Sequence, residues 1–254
     1  MERKTMVWLR ASVIITIVLM GISWITVGYS ENFFNMPVVS DILIPYEERE
    51  LSPAFVDLCD MNPDTIGWIN TGANVDYPIL YRDNDFYMNH GFDGKPSNSG
   101  AIFLDVRNSK EMNDDCLVIY GHNMRSGMMF GDLDDYRNYR TVQNDPIIYI
   151  HNAKEADERK YVYFALFDAS MNFSDSSFFK ITHFNFSSPE EKQDFIDKAK
   201  MRSIHSLPFD VNAGDQLIVL VTCSYTNNNG RFLLIGRELR ENETVESIQN
   251  TLRD

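Results

Sequence analysis

Cysteine is scarce in this chain. Cys59, Cys116 and Cys223 are the only three in 254 residues. A domain held together by disulfides carries more, in pairs, so the fold must rest on its core, and one cysteine is left over under any pairing. Basic residues are also few, 23 Lys+Arg against 37 Asp+Glu, giving a formal net charge of -14. Such a surface repels phosphate backbones and excludes nucleic acid as a partner. No glycine-rich phosphate loop is present, and no His/Cys/Asp/Glu group has zinc spacing. Asp83-Asn84-Asp85 lacks the glycine and the terminal glutamate of an EF-hand loop. No metal and no other cofactor is therefore expected. Internal repeats and low-complexity tracts are missing as well. Hydrophobic residues nonetheless make up 44 %, enough for one sizeable core plus an appendage.

Charge is absent altogether between Ala11 and Ser30. Twenty helical residues at ~1.5 Å rise span ~30 Å, the thickness of a bilayer's hydrocarbon core. Arg3, Lys4 and Arg10 precede the segment, which keeps the amino end in the cytoplasm, and Trp24 and Tyr29 suit the far interface. A cleaved signal peptide has an apolar region of only ~7–15 residues and an Ala-x-Ala site, and neither fits. The expected layout is a cytoplasmic tip and single-pass anchor over 1–30, a stalk and N-terminal helix over 31–61, the main domain over 62–240 outside the cell membrane, and a polar C-terminal tail over 241–254 that reads as a frayed helix.

Leu51, Ala54, Phe55 and Leu58 have helical spacing within Tyr46–Met61, and Asn62-Pro63-Asp64 ends that helix. Beyond it the chain turns β-rich. Runs of Val, Ile, Phe and Tyr between turn residues predict eight strands, near Trp68–Asn70, Tyr77–Tyr81, Ala101–Asp105, Leu117–Tyr120, Ile147–His151, Tyr161–Ala169, Gln216–Cys223 and Arg231–Leu239. A short helical piece covers Asp83–Asn89. A longer one covers Pro189–Ile204, with Ser188 as its cap, early acids and an apolar face of Phe195, Ile196, Ala199 and Ile204. Periodicity leaves a barrel and a sandwich equally open.

Three apolar runs carry chemistry at their ends. Leu217-Ile-Val-Leu-Val-Thr-Cys223 ends on a thiol, Cys116-Leu-Val-Ile-Tyr-Gly-His122 ends on an imidazole, and Arg231-Phe-Leu-Leu-Ile-Gly236 begins with a guanidinium. Thiol, proton carrier and oxyanion donor together make the equipment of acyl transfer. If the strands on either side of the Asn- and Gly-containing loop 224–230 pair antiparallel, Cys223 and Arg231 flank one hairpin mouth. The plain alternatives are a core thiol for Cys223 and a strand-edge surface charge for Arg231. Cys59 and Cys116 read as small buried hydrophobes. His90, His151, His183 and His205 read as surface or loop histidines.

From Asn62 to Leu239 the chain resembles the sortases, and class B among them. The segments that carry the resemblance are Asn62-Pro-Asp-Thr-Ile-Gly-Trp-Ile69, Val75-Asp-Tyr-Pro-Ile79, Asp83-Asn84-Asp-Phe-Tyr-Met88, Ser99-Gly-Ala-Ile-Phe-Leu-Asp105, Ile119-Tyr-Gly-His-Asn-Met124, Met129-Phe130, Leu220-Val-Thr-Cys-Ser-Tyr225 and Arg231-Phe-Leu-Leu234. The resemblance implies a closed eight-stranded β-barrel with an N-terminal helix, short helices and one helix before the seventh strand. It implies a membrane-anchored cysteine transpeptidase of a Gram-positive surface. Cys223 would attack after the Thr of an NPxTG-, NPxTN- or LPxTG-like sorting signal of a surface protein, forming a thioacyl enzyme. His122 would move the proton and Arg231 hold the carbonyl oxygen, with Asn84, Met88 and Thr222 beside the peptide. The acceptor would be a peptidoglycan precursor or cross-bridge amine, or a pilin lysine if the enzyme polymerises pilins. Val221 stands where class B members often carry Ser, and Ser224 where an acid is common; both changes touch the peptide groove. An inactive surface scaffold on the same barrel is the alternative from another class. Papain-like and NlpC-like chains place Cys before His, the reverse of the order here.

Overall fold

The computed structural model describes residues 50–253, apart from 73, 182–183 and 224–229; of residue 223 it describes the main chain. The expected anchor over 11–30, the stalk and the hairpin loop lie outside the described residues. Within them no helix is long and apolar enough to cross a membrane.

Eight strands form: β1 Thr65–Thr71, β2 Val75–Leu80, β3 Phe103–Leu104, β4 Cys116–Tyr120, β5 Ile147–Asn152, β6 Arg159–Ser170, β7 Leu217–Cys223 and β8 Gly230–Glu238. They close into one barrel in the order β1-β2-β3-β4-β7-β8-β6-β5, so of the two architectures left open by the periodicity the chain adopts the barrel. Two neighbours, β2/β3 and β4/β7, run parallel and the rest antiparallel. β3 is the weak stave. It meets β2 at the single pair Leu80↔Phe103, which is why β2 tolerates Pro78 inside a strand: that flank has few ladder bonds to lose.

Period-two alternation sorts the strand residues into two layers. Ile69, Ile119, Ile148, Leu166, Leu220 and Leu234 fill the barrel interior. Their sequence neighbours Val118, Ala165, Phe167, Val219, Leu233 and Ile235 form a second cluster on the outer wall. Helix α3, Pro189–Arg202, covers that wall with Phe195, Ile196 and Ala199. The Ser188 side chain accepts from Glu191 N at its amino end. The helix stops two residues short of the expected Ile204, because Ser203 turns into extended backbone and Ile204 N donates to Leu166 O of β6.

Two helical expectations change. Among the described residues the N-terminal helix is α1, Val56–Met61, preceded by one 3-10 turn over Pro53–Phe55. Pro53 supplies a first helical position, and Ser52 N is already committed to Ala153 O on the barrel, so the helix cannot start earlier. The tail forms the expected helix, but docked on the core rather than frayed. After α2, Tyr139–Asn144, and the strands that follow it, the chain ends in α4, Val245–Arg253. Ile248 and Leu252 of α4 join the interior cluster, and Gln143 Nε2 of α2 donates to Leu252 O at 2.7 Å. Ile248→Ala is expected to cost about 2–4 kcal/mol, read as a drop in the urea midpoint at unchanged m-value.

Candidate active site

One end of the barrel collects the three chemistry-bearing positions. β4 and β7 are parallel with Tyr120↔Val221 in register, so their carboxyl ends emerge together. Gly121 N extends the ladder one step by donating to Val221 O at 3.2 Å. His122 follows β4 and Cys223 ends β7, so both leave the barrel at that edge. β8 runs back against β7 with Cys223↔Arg231 as direct partners. The parallel β4/β7 pair and the antiparallel β7/β8 pair together bring positions 122, 223 and 231 to one edge.

His122 is held through its ring. Nε2 lies 2.7 Å from Met88 O. A carbonyl only accepts, so Nε2 carries the proton of that bond, and Nδ1 is the nitrogen whose protonation can change. Gly100 makes the approach possible. Its φ is +57°, and a Cβ there would meet Tyr87 O at 2.5 Å, His122 Cδ2 at 2.9 Å and Met88 O at 3.0 Å. Any side chain at 100 would therefore strain its own backbone and push on both the imidazole and its acceptor. Gly100→Ala is expected to lose about 1–3 kcal/mol of stability and about tenfold in kcat through the displaced ring; denaturant melts and steady-state kinetics check the two effects separately. Nothing in the residue type alone marks Gly100 as part of the site. The signal is its place in Ser99-Gly100-Ala101, three residues before β3 begins at Phe103.

Arg231 donates from Nη1 to Gly230 O at 2.9 Å, which uses one of the five N–H donors of its fork. It also faces Ala169 of β6 in register. The other two cysteines have different surroundings. Cys116 is fully buried in the outer-wall cluster, and burial drives its thiol far above the ordinary range. Cys59, half-buried, donates to Thr65 O at 3.6 Å; burial, then Asp60, pushes its thiol up. Both are free thiols, and a raised pKa removes the thiolate that a nucleophile needs.

The three residues expected beside a peptide sit differently from one another. Asn84 accepts from Val106 N through Oδ1 at 2.9 Å, tying the segment around the Phe86–Met88 turn to the Asp105 corner. At that corner Arg107 forks onto Asp105, and Tyr120 Oη donates to Asp105 Oδ2 at 3.0 Å. Burial alone would raise the Asp105 carboxyl; the Arg107 bonds outweigh it and hold the pKa below the usual range. Met88 packs its side chain against Leu80, Tyr87, Ala101 and Phe103, and its carbonyl takes the His122 bond. Thr222 is 1 % exposed. It pairs with Phe232 on the interior side, and among the described residues its hydroxyl has no hydrogen-bond partner. Among the described residues no cluster of His, Cys, Asp or Glu could hold a metal ion.

A closed mixed barrel with a thiol, an imidazole and a guanidinium position at one edge is the frame of a cysteine acyl-transfer enzyme. The profile of the sortase domain matches residues 71–239. Sortase B of Listeria monocytogenes is 28 % identical over 242 residues, covering 88 % of this chain and 94 % of that one. Among solved structures, sortase B from Listeria monocytogenes superposes with a TM-score of 0.61 at 30 % identity, covering 71 % of this chain and 98 % of that one. Clostridium perfringens sortase B gives a TM-score of 0.65 at 28 % identity, covering 72 % and 98 %. The chain belongs to the sortase family of cysteine transpeptidases, and within it to class B.

Proposed function

We propose that this transpeptidase is anchored in the cell membrane by residues 11–30, with its barrel outside the cell, and joins surface proteins to a cell-wall amine through Cys223, His122 and Arg231. The thiolate of Cys223 attacks the carbonyl carbon of the Thr in an NPxTG- or NPxTN-like sorting signal. Charge develops on the carbonyl oxygen, where the Arg231 fork donates. The C–N bond after Thr breaks, and His122 gives its proton to the departing amine. The acceptor amine of a peptidoglycan precursor or cross-bridge then attacks the thioacyl carbon while His122 takes a proton back. A new amide forms and the thiolate is restored. A pilin lysine would serve the same step.

One juxtaposition supports this reading most strongly: the end of β7 carries Tyr120↔Val221 on its parallel β4 side and Cys223↔Arg231 on its antiparallel β8 side, two residues apart along one strand. The full chain, incubated with a quenched NPxTG-type peptide, should cleave it after Thr and, with an added amine, yield the amide product. Binding without turnover would favour a scaffold instead. The active form pairs a thiolate with an imidazolium. kcat/KM should therefore be bell-shaped in pH, falling on the acid side as the thiolate is protonated and on the alkaline side as the imidazolium loses its proton. A flat profile from about pH 5 to 10 would contradict the pair.

A further inference from the structure

Under the active edge a second set of polar groups bridges the chain neighbours of His122 and Arg231. Asn123, 6 % exposed, donates from Nδ2 to Asp134 Oδ2 at 2.8 Å. Arg137 donates from Nε to the other oxygen of Asp134 at 3.2 Å. Its Nη1 and Nη2 then fork onto Asp168 Oδ2 and Oδ1, both at 2.8 Å. The same guanidinium lies 3.9 Å over the ring of Phe232. Phe232 is the residue after Arg231 and the register partner of both Asp168 and Thr222. Asp134 and Arg137 both belong to the 3-10 segment Gly131–Arg137 that follows the His122 turn, and Phe130 N closes that turn on His122 O at 2.9 Å.

We propose that Arg137 is a positioning residue: clamped on Asp168 and stacked on Phe232, it fixes the His122 turn, through Asp134 and Asn123, relative to the β7/β8 edge that carries Cys223 and Arg231. β4 and β8 are not neighbours in the barrel; β7 stands between them. The strand ladder sets the spacing of the strands, but His122 lies beyond the last rung of β4, in a turn that the ladder itself does not hold. Arg137 spans that gap from below. Its geometry is that of a planar fork on a carboxylate with an aromatic face beneath, which an ammonium cannot reproduce. The inference rests on the assignment of His122 and Cys223 as the working pair. An imidazolium near a thiol stabilises the thiolate, so a loosened His122 turn leaves the thiol with a higher pKa.

The test uses the full chain and two readouts, peptide turnover and the pH dependence of Cys223 alkylation by iodoacetamide, followed by mass spectrometry of the 223 peptide. Arg137→Lys keeps the charge and loses the fork. It should lower kcat about tenfold with KM little changed and shift the alkylation curve to higher pH. Asp168→Asn breaks the same clamp while removing a negative charge. If Arg137 acted only as a nearby cation, Arg137→Lys would behave as the unaltered enzyme and Asp168→Asn would move the alkylation curve to lower pH. Either result would overturn the proposal. A shift to higher pH in both variants supports it. Thermal melts of each variant, with alkylation measured well below the melting point, keep loss of fold from imitating loss of position. His122→Ala separates this inference from the one beneath it. If that change leaves the alkylation curve in place, the His122–Cys223 pairing itself fails; if it moves the curve while Arg137→Lys does not, only the role of Arg137 fails.

Discussion

Cys223→Ala is expected to abolish both cleavage and amide formation, with kcat reduced by about 10⁴-fold or more, as when the nucleophile of a covalent catalyst is removed. The size of the effect depends on whether another thiol can stand in, and the surroundings of the other two cysteines argue that none can. Cys116 lies in the outer-wall cluster between β4 and helix α3, fully buried, with its thiol driven up by burial. Cys59 lies within α1, where its thiol donates to Thr65 O of β1, and burial and Asp60 raise its pKa. Neither offers a thiolate at neutral pH. Intact-mass measurement after mixing with substrate gives the sharper readout. The unaltered chain should carry the acyl fragment and Cys223→Ala should carry none. An acyl adduct that persists in the variant, mapped to Cys59 or Cys116, would reassign the nucleophile.

The strands were legible in the sequence for a simple physical reason. Runs such as Leu217-Ile-Val-Leu-Val221 and Leu233-Leu-Ile235 are buried on both faces, inside the barrel and under α3, so they read as continuous apolar stretches. The β7/β8 hairpin followed from the Asn- and Gly-bearing loop between two such runs. Other features had no local signal. β3 pairs over two residues where five looked strand-like, because the Asp105 corner turns the chain away after Leu104. The docking of α4 rests on two buried residues, Ile248 and Leu252, with Val245 packed beside them, in an otherwise polar segment, and polarity hid it. The parallel pairing of β4 with β7 joins segments about a hundred residues apart in sequence, and hydrophobic period carries no information about partner choice. Yet that pairing brings positions 122 and 223 to one edge of the barrel. The candidate residues could be picked by type and position at strand ends; their meeting could not. Likewise Gly100 and Arg137 matter through what they touch, and a lone glycine or arginine in a sequence says nothing of its contacts.

Arg231→Lys is expected to lower kcat by about 10²-fold while changing KM little. Position 231 lies directly across the ladder from Cys223. Under the proposed assignment a donor there would sit beside the carbon under attack, where charge appears on oxygen only as the tetrahedral intermediate forms. An interaction that strengthens only in the transition state is lost from kcat and leaves ground-state binding nearly intact. Lysine keeps the unit of charge, so a general electrostatic role would survive the change. Two other things would be lost. The planar fork can bond Gly230 O from Nη1 and still present parallel N–H groups, whereas a tetrahedral ammonium holds one oxygen at a time in a fixed direction. The ammonium is also more strongly hydrated and gives up more solvation in a site closed by a bound peptide. Arg231→Ala should fall further than Arg231→Lys, and the gap between them measures the charge alone. Steady-state kinetics on the quenched peptide, with acyl-enzyme formation followed separately, decide the matter. A lysine variant at near-normal kcat would reduce Arg231 to a surface cation at the strand's edge and leave the oxyanion without its assigned donor.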